Sequence, residues 1–342
     1  MDMFSTGVLR KVVAALPRLS RFFLDKFFPE VQTEVTEEIH FDVEKSRPRL
    51  APLVSPLVAG KVVTGAGYKT GTFKPAYVKD KRRFNPNRPL KRVIGEQIGG
   101  ALDPMSRLRL LLTNELTDQV AMLTRRQEVM AIEALSTGKI TVSGEGYETT
   151  VVDFERDAAL TVNLTDDAEW GDDGVSPLKN VNEWALLVLK ASGATVTDVV
   201  FDQKAWDLFA ADPQVTKRLD LLRAASNGFV SLGKAPIEGA RYMGTIDDYR
   251  LWVFAGWYEN DSGILTPYLP DHTVIMSGPQ LEGVRAFGAI QDEEAGYQAV
   301  EYFTKSWVEK DPSVRWLLMQ SAPLPVPYRV NASLCATVKQ AV

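Results

Sequence analysis

Between Met105 and Ala134, apolar side chains recur every three or four residues through Leu108, Leu112, Leu116, Val120, Leu123 and Met130. That period marks one face of an amphipathic helix. Asp103 supplies an N-cap, Pro104 suits the first helical position and Gly138 suits a left-handed C-terminal cap, so the pattern predicts a helix over residues 104–137. At 1.5 Å per residue this is a rod of about 50 Å, which crosses the width of a compact chain of this size and predicts an elongated molecule.

The pattern differs on either side of this rod. Residues 46–98 hold six prolines and show no helical period. Leu57–Thr64 and Thr72–Lys79 are β-prone around the turn-rich Gly65–Gly71, which predicts a hairpin within a long extended excursion. After Gly138, Lys139–Ser143 and Glu148–Phe154 flank Gly144-Glu145-Gly146 and predict a second hairpin. From Val181 the pattern turns mixed. A helix runs to Gly193, a strand covers Val196–Phe201, Asp202 caps a helix through Trp206 and Phe209, and another helix follows Pro213 to Arg223. Strands are expected at Arg250–Gly256, Thr273–Ser277, Val284–Ile290 and Val314–Ser321. A last alternating strand places Val330, Ala332, Leu334, Ala336 and Val338 on one face. The fold class is α+β, with an α/β second half.

Charge adds a second layer. Residues 1–29 are basic and carry Phe22, Phe23, Phe27 and Phe28, whereas Glu30–Glu44 holds six acids and no Lys or Arg. The first stretch reads as an arm that packs its phenylalanines on another surface. Ten basic residues lie between Lys61 and Arg92: Lys61, Lys69, Lys74, Lys79, Lys81, Arg82, Arg83, Arg88, Lys91 and Arg92, against the single acid Asp80. An isolated hairpin so charged repels itself, so the loop is expected to lie on a partner surface. Over Glu145–Glu183 the balance inverts, with eleven acids and two bases. Asp166, Asp167, Glu169, Asp172 and Asp173 are the candidate acidic partners. The net charge of −5 argues against a general nucleic-acid coater.

Candidate chemistry is sparse. Gly228–Lys234 fits seven positions of a phosphate-binding loop, but Ala235 lacks the hydroxyl that holds Mg²⁺ and Pro236 opens the following helix poorly. His40 and His272 are the only histidines and neither lies near a nucleophile elbow; His272 reads as a turn residue before a strand. The single cysteine, Cys335, reads as a small packed thiol and excludes an intrachain disulfide. The acids at 166–173 break calcium-loop spacing, because Gly171 takes a ligand position. The longest early apolar run, Val12–Leu16, is too short for a membrane span. No catalytic, metal or cofactor residues are assigned.

The order of arm, proline-rich loop, long helix, hairpin and α/β region resembles the major capsid proteins of tailed bacteriophages, in particular the lambda major head protein family. The resemblance rests on Val54–Gly60, Phe73–Lys79 with Asn85-Pro86, Asp103-Pro104 with Gly138-Lys139, Val200-Phe201-Asp202, Leu269-Pro270-Asp271, Ile290-Gln291-Asp292 and Met319–Leu324. It covers nearly the whole chain. It implies the Hong Kong 97-type capsid fold, with an N-terminal arm (1–45), an extended loop (46–98), a peripheral domain on a spine helix (99–180), an axial domain (181–320) and a C-terminal strand returning to the peripheral domain (321–342).

The resemblance further implies hexamers and pentamers of the chain itself, enclosing phage DNA, which the shell meets only non-specifically, in an icosahedral shell assembled in the bacterial cytoplasm. Portal and decoration proteins are expected partners. The chain begins directly with the arm, so a separate scaffolding protein is expected. Two other readings stay open: an encapsulin-like compartment, and a nucleotide-binding enzyme using residues 228–234.

Overall fold

A computed structural model describes residues 3–16, 21–36, 38–44, 50–57, 59, 68–75, 77–85, 87–94, 96–98, 100, 102–144, 146–218, 239–311 and 314–340. The expected long helix, α3, runs Pro104–Thr137, following α1 (Thr6–Ala15) and α2 (Phe22–Phe27). The Asp103 side chain accepts the Ser106 N–H at 2.8 Å, and Gly138 takes φ 71°. A Cβ at Gly138 would meet the Arg156 Cβ at 2.6 Å, so both conformation and space select glycine there. Arg156 donates to the carbonyls of Leu135 and Ser136, closing the end of α3 from outside the helix.

α3 joins two cores. Its first half buries Leu111, Leu112, Leu116, Val120 and Leu123 with Phe4, Leu9, Phe84, Val93, Leu317 and Met319. Its second half buries Ala131, Ile132, Ala134 and Leu135 in the larger core. Met105, predicted on the stripe, is 53% exposed because it sits in the first turn, beyond the reach of either core.

The larger core is built on a six-stranded mixed sheet in the order Thr161–Asn163, Leu334–Thr337, Thr273–Ser277, Asp198–Phe201, Tyr249–Phe254, Ala240–Ile246. α4 (Pro177–Ser192) and α5 (Gln203–Ala211) accompany it, and Pro213–Arg218 is helical as far as it is described. α4 begins four residues before the expected Val181, because Ser176 and Pro177 form its start. The expected boundary at 180/181 therefore falls inside a helix.

A three-stranded sheet sets Gly283–Phe287 between Glu30–Thr33 and Pro323–Pro327. The three prolines of the last strand lack N–H groups, which suits its place at the sheet edge. Another sheet sets Val314–Ser321 between Phe303–Glu309 and Val78–Phe84. Two-stranded ribbons pair Ile39–Glu44 with Tyr68–Phe73, Lys139–Gly144 with Tyr147–Asp153, and Trp257–Glu259 with Leu265–Pro267.

Three expectations are corrected. Tyr68–Phe73 pairs with arm residues 39–44, and Pro75 ends its run, so 72–79 is not one strand; most of the expected 57–64 segment lies outside the described residues. The C-terminal strand Leu334–Thr337 lies between Thr161–Asn163, in the expected peripheral stretch 99–180, and Thr273–Ser277, in the expected axial stretch. Phe303–Glu309 and Val314–Ser321, within the expected axial stretch 181–320, pack with the loop strand and the first half of α3. The terminal strand is also buried on both faces, Ser333 and Cys335 included, because it is interior to its sheet; Val330–Ala332 is a 3₁₀ turn. Third, the arm phenylalanines pack on the chain's own core, as set out below.

Candidate interaction surface

Strand Val78–Phe84 alternates outward and inward. Lys79, Lys81 and Arg83 are exposed on one face, while Phe84 is buried in the smaller core. Lys81 Nζ stands 4.1 Å above the Trp316 ring and 5.4 Å from Trp307, and Lys79 Nζ lies 5.2 Å from the Tyr77 ring. The register sets Arg83 opposite Trp316, which in turn faces Trp307. This makes a cationic and aromatic sheet face.

The other basic residues divide. Arg82 turns inward and pairs with Asp80 at 2.8 Å, Glu115 at 2.8 Å and Asp118 at 2.7 Å. Burial pulls its pKa down, but the three carboxylates more than reverse this and leave it raised. Arg88 pairs with Glu115 at 2.6 Å. For these two, the expectation of a neighbour's acid is corrected: α3 presents its own carboxylates directly beneath the strand. Arg92 is exposed but donates to the Glu96 carbonyl at 2.6 Å. Lys74 and Lys91 are exposed, Lys69 sits within strand Tyr68–Phe73, and Lys61 lies outside the described residues. Glu96 anchors the loop base: Arg107 grips both its oxygens and the Val93 N–H adds a third donor, holding its carboxyl down at about 2.

Residues 50–57 form no helix or strand, and Leu50, Leu53 and Leu57 are 96%, 103% and 95% exposed. Ile94 and Ile98 are almost as open. Isolated exposed leucines are ordinary, but this run gathers three within eight residues of the basic segment's approach.

The acidic stretch lies ahead of α4. Asp166, Asp167 and Asp173 are exposed, and Glu169 and Asp172 are half-buried. Trp170 holds the stretch in place: fully buried, it stacks on Trp184 at 5.8 Å, and its backbone N–H donates to the Val338 carbonyl. Glu169 accepts the Gln340 N–H at 3.0 Å. The structure does not bring these acids together with the basic face within one chain, since no ion pair between the two groups occurs among the described residues.

The arm is not free from Arg21 onward. Phe22 stacks on Phe254 at 5.7 Å, Phe23 meets Phe254 edge-on at 5.0 Å, and Phe27 and Phe28 are buried beside them. Lys26 Nζ reaches the buried Asp198 at 2.7 Å and lies 4.1 Å over the Trp252 ring. Burial pushes the Lys26 pKa down. Another surface was expected for the phenylalanines; their spacing on one short helix lets them join the chain's own core.

Glu128, which the sequence pattern passed over, holds α2 from the side of α3. A signal existed. The apolar stripe jumps from Leu123 to Met130, and Gln127 and Glu128 occupy the gap where core residues belong.

Among the described residues, no cluster of three or more His, Cys, Asp or Glu could hold a metal ion. Burial pushes the Cys335 thiol up to about 11, which suits a packed side chain and not a nucleophile. His40 lies exposed beside Thr72, and His272 takes φ 62° at the turn before Thr273–Ser277. The phosphate-loop-like residues 228–234 lie outside the described residues. No helix among the described residues is long and apolar enough to cross a membrane.

The family model described as phage major capsid protein E matches residues 5–338. The major capsid protein of Escherichia phage lambda is 30% identical over 328 residues, covering 95% of this chain and 96% of that protein. The major capsid protein of Escherichia phage N15 is 31% identical over 329 residues, with the same coverage. Among solved structures, a prophage protein of Escherichia coli CFT073, described as a capsid protein, superposes with a TM-score of 0.77 at 23% identity, over 98% of this chain and 99% of that one. The capsid of Ralstonia phage GP4 gives 0.51 at 14% identity, over 96% and 94%.

Proposed function

The chain belongs to the phage major capsid protein E family, and from that premise we propose how it performs the work of a tailed-phage major capsid protein. Copies of the chain associate into hexamers and pentamers and close an icosahedral shell around phage DNA. The role is structural. The match across residues 5–338, at an identity of about 30% to the lambda and N15 proteins, carries this reading.

In the shell, the 46–98 loop lies over a neighbouring copy, which covers Leu50, Leu53 and Leu57 and meets Lys79, Lys81 and Arg83. The acids 166–173 are the complementary surface. α3 serves as the spine between a peripheral and an axial part. A separate scaffolding protein, a portal and a decoration protein are the further partners, and assembly takes place in the bacterial cytoplasm.

Electron microscopy of the purified full chain tests this reading: capsomer rings or closed shells are expected, and a uniform monomer at high concentration would overturn it. Replacing Lys79, Lys81 and Arg83 by Glu should leave the subunit folded but unassembled. Arg82 is left in place because it holds the loop on α3. Shells loaded with an enzyme would point to a compartment, and saturable nucleotide binding lost in Lys234→Ala would point to an enzyme.

A further inference from the structure

Glu128 occupies a core position of α3 and is only 5% exposed. Its Oε1 accepts the Phe23 N–H at 2.7 Å and its Oε2 accepts the Leu24 N–H at 3.1 Å. Both are first-turn donors of α2, whose own N-cap residue, Arg21, offers no side-chain acceptor. One carboxylate on the long helix therefore closes the open end of the arm helix. Using both oxygens as acceptors is the arrangement an ionised carboxylate prefers, but the site is almost dry.

Charged groups of three neighbouring elements form a network that reaches this contact through Arg21 and Asp25. α2 contributes Arg21 and Asp25, paired at 3.0 Å. The approach to strand Phe303–Glu309 contributes Glu301, 2.9 Å from Arg21, and Tyr302, whose hydroxyl lies 3.1 Å from Thr124 Oγ1 on α3. Strand Gly283–Phe287 contributes Arg285, 3.9 Å from Glu301. The junction is incompletely satisfied: Arg285 Nε and Nη1 and both amide atoms of Gln127 are buried without a hydrogen-bond partner among the described residues. Buried polar networks that are only partly paired hold a single arrangement weakly.

We propose that Glu128 and the charged groups around it form a proton-operated joint, which fastens α2 to α3 and loosens as the carboxyl ionises, while Lys26 keeps α2 on the central sheet through Asp198. The joint belongs to the folded chain and does not depend on how copies assemble.

The direction follows from linkage. Burial pushes the Glu128 carboxyl up to about 7, against the Phe23 and Leu24 hydrogen bonds, with Asp25 adding to the rise and Arg21 opposing it. Once loosened, the carboxyl meets water and returns to its ordinary value of 4.5. The fastened state thus binds the proton more tightly. Its advantage is complete below about pH 4.5, declines about tenfold per pH unit, and is lost as pH rises through about 7, with no further change above. Arg21 and Arg285 stay cationic throughout.

Hydrogen exchange on the full chain between pH 5 and 8, corrected for intrinsic rates, reads the joint at the Phe23 and Leu24 amides. Their protection should fall about tenfold per unit from pH 5 to 7 and level off from 7 to 8, while amides of Asp198–Phe201 hold steady. Glu128→Gln should remove the slope at Phe23 and Leu24. A flat profile in the unmodified chain overturns the proposal, and this measurement decides alone if the variant does not fold. An unchanged slope in a folded Glu128→Gln variant overturns it equally, since the titrating group would then lie elsewhere.

Discussion

Helix α2 and residues 50–57 both carry bulky apolar side chains in regions that the sequence marks as outstretched, yet the first buries Phe22, Phe23 and Phe27 in the chain's own core while the second leaves Leu50, Leu53 and Leu57 in solvent. Backbone explains the difference. α2 closes its own hydrogen bonds, donates two more to Glu128, and turns its phenylalanines toward Trp252 and Phe254. Residues 50–57 contain Pro52 and Pro56 and form no ladder, so nothing among the described residues positions their leucines. Burying one such leucine is worth about 1.5–3 kcal/mol, and three of them leave a gain that a neighbouring copy can supply. Apolar content alone does not tell self-burial from partner burial; the backbone's ability to satisfy itself does.

The comparison breaks most sharply at Phe23. Phe23→Ala removes a fully buried ring from the larger core and should cost about 3–5 kcal/mol of unfolding free energy by denaturant titration of the subunit. Next is Arg156, which closes the carbonyl end of α3 on the Leu135 and Ser136 oxygens beside the Gly138 cap. Arg156→Met should cost about 2–3 kcal/mol, because two half-buried acceptors lose a charged donor. At the other end of the same helix, Asp103→Ala should cost about 1 kcal/mol, since that cap is exposed and water can replace it. Leu53→Ser should change subunit stability by less than about 0.5 kcal/mol and yet reduce shell yield. If Leu53→Ser instead destabilises the subunit as Phe23→Ala does, the two regions do not differ in kind.

Legibility in the sequence follows the same physical division. α3 was readable to the residue, because its caps are local chemistry and its stripe is long. Thr273–Ser277 and Val314–Ser321 were readable because apolar runs between turn signals survive almost any context. Pairing was not readable. Nothing local tells Leu334–Thr337 to join the central sheet while Val314–Ser321 leaves it for Val78–Phe84. The strand Pro323–Pro327 was invisible, because three prolines argue against a strand until an edge position is known.

At the candidate surface, the sign and size of the basic segment were plain. Which of its charges face outward was not, because that depends on Glu115 and Asp118 lying beneath Arg82. Glu128 was legible only as a gap in the stripe, since a buried carboxylate is recognised by the donors that fold against it.

The most direct test concerns the leucines of the loop. Cys335 is buried, with a thiol pushed up to about 11, so a Leu53→Cys variant carries one readily labelled thiol. Labelling by a maleimide should be fast in dissociated subunits and at least about tenfold slower in assembled shells, because a neighbouring copy covers position 53. Equal rates in the two states would contradict the claim that the loop is completed by other copies of the chain.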